Sequence, residues 1–394
     1  MFNARRTSFI KTLLAVVLLG TLALAGCIGI GPRGWPATQI SGDTLYVGTM
    51  AGRVLALNAA RGTTKWEWPP ETRTGNTPGA RSGPGNISTG NATRSFLGCS
   101  GATTGQFSAG YFYGAPAVAN GTIYIGYYAG MMYAIDAAEG MEVWSHDIRS
   151  VIASGLTVVD DTVFVGSSDG RLIALDAGNG SLKWEFNAKN EVWSTPTVVD
   201  GVTYFGCLDH NLYALNTSDG TKKWAFEAGG AIVSTPLVVE GVVYFGSFDR
   251  KFYALNADTG TLKWTFTGSG GWFWSEAAYD GGTIYAGSLD HNVYALDALN
   301  GSLAWAKPFK AGAAVKSSPV IAGGVLVVAA EDGKIYGLDL KTGEQQWESS
   351  WIRAKVLSHL CVAGSTVYIN SEDDRLYALD GKSGREIWGI TLDK

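Results

Sequence analysis

Residues 202–224 read VTYFGCLDHNLYALNTSDGTKKW, and the reading of this stretch decides the fold. VTYFG and LYALN are short runs, continuously or alternately apolar and rich in aromatic and branched residues, as strands packed on both faces should be. The Leu-Asp-His-Asn between them is a turn, and the Ser-Asp-Gly after them supplies the positive φ that a tight reversal needs. KKWAFEA then opens one further strand, and STPTVVDG (194–201) precedes the stretch as another, so about forty residues hold four hairpin-linked strands. The same phrase recurs along the chain, closing on Trp66, Trp144, Trp184, Trp224, Trp264, Trp305, Trp347 and Trp388. The last seven tryptophans stand 40 to 42 residues apart, and the first gap of 78 contains one insertion. A four-stranded module of this kind is the unit of a propeller blade. It cannot bury two apolar faces alone, so successive modules stack around an axis until the ring closes. The expectation is an all-β, eight-bladed β-propeller of four-stranded antiparallel blades over residues 35–394. Each terminus is expected to complete its own blade, with exchange of a strand between the ends as the alternative.

Within each copy the phrase condenses to A-(L/I)-(D/N)-x3-G-x3-W. Ala stands ten residues before Trp in seven copies (Ala56, Ala134, Ala174, Ala214, Ala254, Ala295, Ala378), and Gly337 takes its place in the seventh blade. Small residues there leave room for an indole, whose burial of roughly 150–250 Å² is worth about 4–6 kcal/mol as an upper figure. The eight tryptophans are therefore read as structural docking residues. The pattern resembles the tryptophan-docking motif of the PQQ-repeat (quinoprotein-like) propellers, a family with a dehydrogenase branch and a branch of BamB-like assembly lipoproteins. The resemblance spans about nine-tenths of the chain. It implies the fold and leaves activity open, since one fold hosts many functions.

Residues 1–26 carry early positive charges, an apolar run after Lys11 and small residues before Cys27, which is the layout of an export signal too short to span a bilayer. Leu24-Ala25-Gly26-Cys27 resembles a bacterial lipobox, which implies lipidation at Cys27 and a short tether over 27–34. The resemblance also implies sorting of the lipoprotein: with Ile28 rather than Asp after the Cys, the address is the periplasmic face of an outer membrane. In a cell with one membrane it is the outer face of the cytoplasmic membrane. The formal charge of −5 becomes −8 once Arg5, Arg6 and Lys11 leave with the export segment. A surface of that sign does not attract a phosphate backbone, so nucleic acid is excluded as a partner.

Residues that depart from the repeat are the candidates for function. A Gly/Ser/Thr/Pro-rich insertion over 69–112 joins blades one and two and reads as a surface excursion or a lid. Trp193, Trp272, Phe273, Trp274 and Trp351 fall in connections before inner strands, together with Glu191, and are expected to form a partly exposed aromatic floor near the axis. Inner strands open with Ser154, Ser194, Ser234, Ser275, Ser317 and Ser358. The residue after each is small except at Glu276 and His359, which could bind a cation or move a proton. Asp169, Asp209, Asp249, Asp290, Asp332 and Asp373 recur in one turn and are read as turn caps, not metal ligands. His210 and His291 lack metal-pair spacing. Beyond Cys27, the residues Cys99, Cys207 and Cys361 allow one disulfide or none.

Two functional classes follow. The first is a non-catalytic, lipid-anchored extracytoplasmic scaffold, monomeric by itself, that presents its rim to an envelope or membrane protein, as BamB-like relatives do in outer-membrane assembly. The second is a PQQ-dependent dehydrogenase. There the resemblance implies PQQ on the axis with Ca²⁺, stacked on Trp193, Trp272 or Trp274, with Glu191 or Glu276 as an oxygen ligand. That family's adjacent-cysteine pair has no counterpart in this sequence. An extracytoplasmic carbohydrate-binding or sensor module uses the same aromatic floor and ranks third. The scaffold, with no cofactor and no catalytic residue, is the first expectation.

Overall fold

The computed structural model describes residues 37–69, 112–352 and 354–392. The export segment, the tether with Cys27, Trp35, Cys99 and nearly all of the 69–112 insertion lie outside the described residues. Among the described residues, eight antiparallel sheets of four strands follow one another in chain order. The blades span 38–68, 117–147, 156–187, 197–227, 237–266, 278–310, 320–349 and 361–391. No described helix is long and apolar enough to cross a membrane.

Blade four shows the local logic. Its strands are Thr197–Val199, Val202–Gly206, Asn211–Asn216 and Lys222–Glu227. The two middle strands are buried on both faces, matching their apolar runs, whereas the outer strand alternates exposed and half-buried residues. Tyr204 pairs with Ala214, and Ala214 with Trp224, after which a bulge shifts the register. The same bulge follows the small residue in seven blades, and a bulge re-aims the side chain beside it. Blade six departs: its outer strand shrinks to Phe309–Lys310, because Pro308 cannot donate to the ladder.

The core lies between blades. Phe164 and Leu172 of blade three pack with Phe205 and Tyr213 of blade four, and the other interfaces repeat the arrangement. Each repeat indole reaches across its interface. Trp224 Nε1–H donates to the Ala257 carbonyl at 2.9 Å, Trp264 to Ala298 at 3.0 Å and Trp305 to Leu340 at 2.9 Å. The ring of each indole lies on the turn glycine of the next blade; a Cβ on Gly301 would stand 2.7 Å from Trp264 Cδ2. Gly301 adopts φ +73°, so it meets two demands that only glycine satisfies together.

The circle closes by the same contact. Trp388 Nε1–H and the Tyr368 hydroxyl of blade eight both donate to the Ala59 carbonyl of blade one, and Gly62 lies under the Trp388 ring. Blade one is built wholly from 38–68 and blade eight wholly from 361–391, so no strand is exchanged between the ends.

Candidate functional site

Because side chains alternate along a strand, every second residue of each inner strand faces the axis. In the segments leading into those strands, one register brings Tyr113, Ala153, Trp193, Val233, Trp274, Lys316 and Leu357 to a single level. Two residues further on, the next register brings Ala115, Gly155, Thr195, Thr235, Glu276, Ser318 and His359 to another. These two levels, with inner-strand residues of blades one to three and six to eight, line an axial cavity of about 770 Å³.

The wall is lopsided. On blades two and three the lower level is Ala115 and Gly155, whereas blades six to eight place Glu276, Ser318 and His359 there. Ser318 Oγ and His359 Nδ1 are hydrogen-bonded at 2.6 Å. The imidazole is open to the cavity while protein surrounds it on every side, and the resulting desolvation lowers its pKa, so it is neutral near pH 7. Desolvation also pushes the Glu276 carboxyl up to about 7. Nothing among the described residues donates a hydrogen bond to that carboxylate or forms an ion pair with it. Lys316 is brought down to about 8 by desolvation, partly offset by the attraction of Glu331 and Glu372.

Above the carboxylate, aromatic rings from two blades form a stack. Phe248 lies on Trp272 at 4.5 Å and 13°, and on Trp274 at 5.3 Å and 29°. The Lys316 ammonium stands 4.0 Å from the Trp274 ring centroid, a cation–π contact in a partly desolvated place. Trp193, two blades away, donates from Nε1 to Ser168 Oγ at 3.3 Å.

Of the candidates taken from the sequence, Trp193, Trp274, Glu276 and His359 meet in the axial cavity. Trp272 backs the stack without lining the cavity. Phe273 is a correction: it is fully buried, packed on Gly246 and Phe252 inside the blade interface, because residues between two outward-facing tryptophans point the opposite way. Trp351 is likewise placed elsewhere, edge-on to Tyr377 at 4.9 Å beside the blade seven–eight core. Glu191 does not line the cavity; burial raises its pKa, opposed by a hydrogen bond from Trp193. The aromatic floor is therefore smaller than expected and shifted toward blades five to seven.

Lys316, Phe248 and Ser318 were missed as site residues. Lys316 was legible, since it holds the register of Trp193 and Trp274, two residues before the ring position. Phe248 was not, because its role depends on a neighbouring blade.

The recurring aspartates are tied into turns. Asp209 and Asp290 each accept a hydrogen bond at 2.6 Å from Tyr213 and Tyr294, and backbone amides add to both. These bonds outweigh desolvation and hold both carboxyls below the usual range. Cys207 and Cys361 are free thiols, Cys207 buried and pushed up to about 12 by desolvation. No cluster of three or more His, Cys, Asp or Glu able to hold a metal occurs among the described residues. Ca²⁺ takes six to eight oxygens, and with Glu191 outside the cavity one carboxylate among the described residues lines it, so the described donor set does not fit the Ca²⁺ that would accompany PQQ.

A family model described as outer membrane protein assembly factor BamB matches residues 31–193, 129–231, 192–272 and 268–394. No curated protein sequence matches the chain. Among solved structures, BamB from Moraxella catarrhalis is similar at 17% identity and TM-score 0.62, over 70% of this chain and 87% of that one. The computationally designed Ika8 protein reaches TM-score 0.70 at 15% identity, over 89% and 98% of the two chains. The quinohemoprotein alcohol dehydrogenase ADHIIG from Pseudomonas putida HK5 is similar at 17% identity and TM-score 0.59, over 70% of this chain and 66% of that one. At such identities these structures speak for the fold alone.

Proposed function

The chain belongs to the family described as outer membrane protein assembly factor BamB, and from that premise we propose that it is a non-catalytic, lipid-anchored scaffold that presents one rim to an envelope protein. The stack of Trp272, Phe248, Trp274 and Lys316 is the observation that carries this reading. Trp272, Trp274 and Lys316 stand outside the repeat phrase, Phe248 takes a variable turn position within it, and half-buried aromatic rings beside a cation are the side chains that dominate protein interfaces. Eight docked blades hold them on a stiff frame, so little ordering entropy opposes association. Cys27 is proposed as the lipid attachment. Two acyl signals anchor a protein stably where one does not, so Cys27→Ala should move the protein from the membrane to the soluble fraction.

The test is in-cell crosslinking from a photoreactive residue at position 272, followed by membrane pull-down. Recovery of an envelope protein, lost in a Trp272→Ala/Trp274→Ala double variant that keeps its unfolding midpoint, is expected. Equal recovery by the double variant, or no envelope protein at all, would overturn the proposal. Purified protein given PQQ and Ca²⁺ is expected to reduce no dye with alcohols or sugars, and sustained turnover would replace the scaffold with a dehydrogenase.

A further inference from the structure

Behind the proposed docking rim, the axial cavity of about 770 Å³ has the size of a small-molecule site, and it is lined asymmetrically. Glu276 presents a carboxylate to it with no partner among the described residues. A carboxylate held in a desolvated place without hydrogen bonds is unfavourable unless something supplies donors. Lys316 is the other charged side chain on the wall among the described residues, so Glu276 and Lys316 together leave that described lining with no net charge. A cation drawn to Glu276 meets Lys316, and an anion drawn to Lys316 meets Glu276. A neutral molecule with several hydroxyls suits both: it donates to the carboxylate and accepts from the ammonium. The hydroxyls of Thr195, Thr235 and Ser318 stand at the Glu276 level, and Trp193 brings an indole to the level above. Apolar ring faces on an aromatic side chain, with hydroxyls met by planar polar groups, are the needs of a pyranose.

We propose that the axial cavity binds a neutral oligosaccharide, held by Glu276 and Lys316 and packed against Trp193. The site adjoins the protein-docking rim and shares Lys316 with it, but sugar binding by the purified chain and partner capture in the cell are read independently, so either reading can fail without the other.

Calorimetric titration of the full purified chain tests it, with chitotriose representing envelope glycan and maltotriose a free sugar. Spermidine, citrate and glycylglycine represent cations, anions and zwitterions. Saturable binding of one trisaccharide and of none of the charged probes is expected, and the trisaccharide that binds identifies the source. Glu276→Ala and Trp193→Ala should each lower its affinity about tenfold or more, which is the loss of one charged hydrogen bond or one ring contact. Glu276→Gln conserves volume and keeps one acceptor, so it should retain the fold and bind with intermediate affinity. Leu299→Ser, on the exposed outer edge of blade six, should leave affinity unchanged. Failure of both trisaccharides to bind overturns the proposal, as does tighter binding of a charged probe or undiminished binding by the Glu276 variants when their unfolding midpoints are unchanged.

Discussion

Tryptophan does two different things in this molecule, and the contrast lies between the blade interfaces and the axial mouth. At the interfaces Trp264 is 8% exposed, donates to the Ala298 carbonyl and lies on Gly301, and the other repeat tryptophans make the equivalent contact. At the mouth Trp193 and Trp274 are only half-buried, occur where neighbouring blades carry Ala153 and Val233, and face a cavity. A contact repeated in every blade is what ring closure requires. A residue that only some blades carry has no such duty, so its half-buried ring can serve the cavity instead.

The largest test of this division is a pair of truncations. Trp264→Ala should cost about 3–5 kcal/mol in denaturant unfolding, since it empties a buried indole site and removes one of the two hydrogen bonds to the Ala298 carbonyl, the Tyr244 hydroxyl keeping the other. Trp193→Ala should cost less than about 1 kcal/mol, as a partly exposed site leaves no cavity in the core. Equal losses would erase the distinction. Next, Gly301→Ala should cost about 1–3 kcal/mol, because the new methyl meets the Trp264 ring and the backbone holds φ +73°. In a Trp264→Ala background that loss should shrink by the part due to the clash, a double-mutant coupling that an unconnected pair would lack.

The mouth carries a pH response of its own near neutrality. Glu276 is held at about 7 against an ordinary value of 4.5, so folding favours its protonated form. Its contribution is complete below about pH 4.5 and is lost as pH rises through 7, on the order of 1–3 kcal/mol. Glu276→Gln should flatten that part of the stability profile and exceed the wild type at pH 8; an unchanged slope would assign the pH dependence elsewhere. The smallest effect concerns thiols. Cys207, buried with its thiol pushed up to about 12, should resist alkylation in the native state at pH 8 and react only on unfolding. Rapid native labelling at Cys207 would show that the blade three–four interface opens.

Much of the fold is legible in the sequence because the repeat states each local rule eight times. The glycine after each Asp or Asn turn, the small residue ten before Trp and the apolar strand pairs all recur, so chance matches cannot mimic them. Candidate site residues were legible only as departures from that pattern, which is why Glu276 and His359 were found. Departure alone does not give direction. Phe273 differs from the repeat as much as its two neighbours do, yet strand alternation sends it into the core.

By itself the sequence determined the module, its number of copies and the residue that ties each to the next, because those depend on periodicities and turn chemistry local to about forty residues. Only the tertiary structure decided that Trp388 closes on Ala59 without strand exchange. It alone decided that Phe248 completes a stack begun in another blade. It also decided that Glu276 faces a shared cavity with no partner among the described residues. Those outcomes depend on how blades are rotated about a common axis, and that rotation brings together residues tens to hundreds of positions apart.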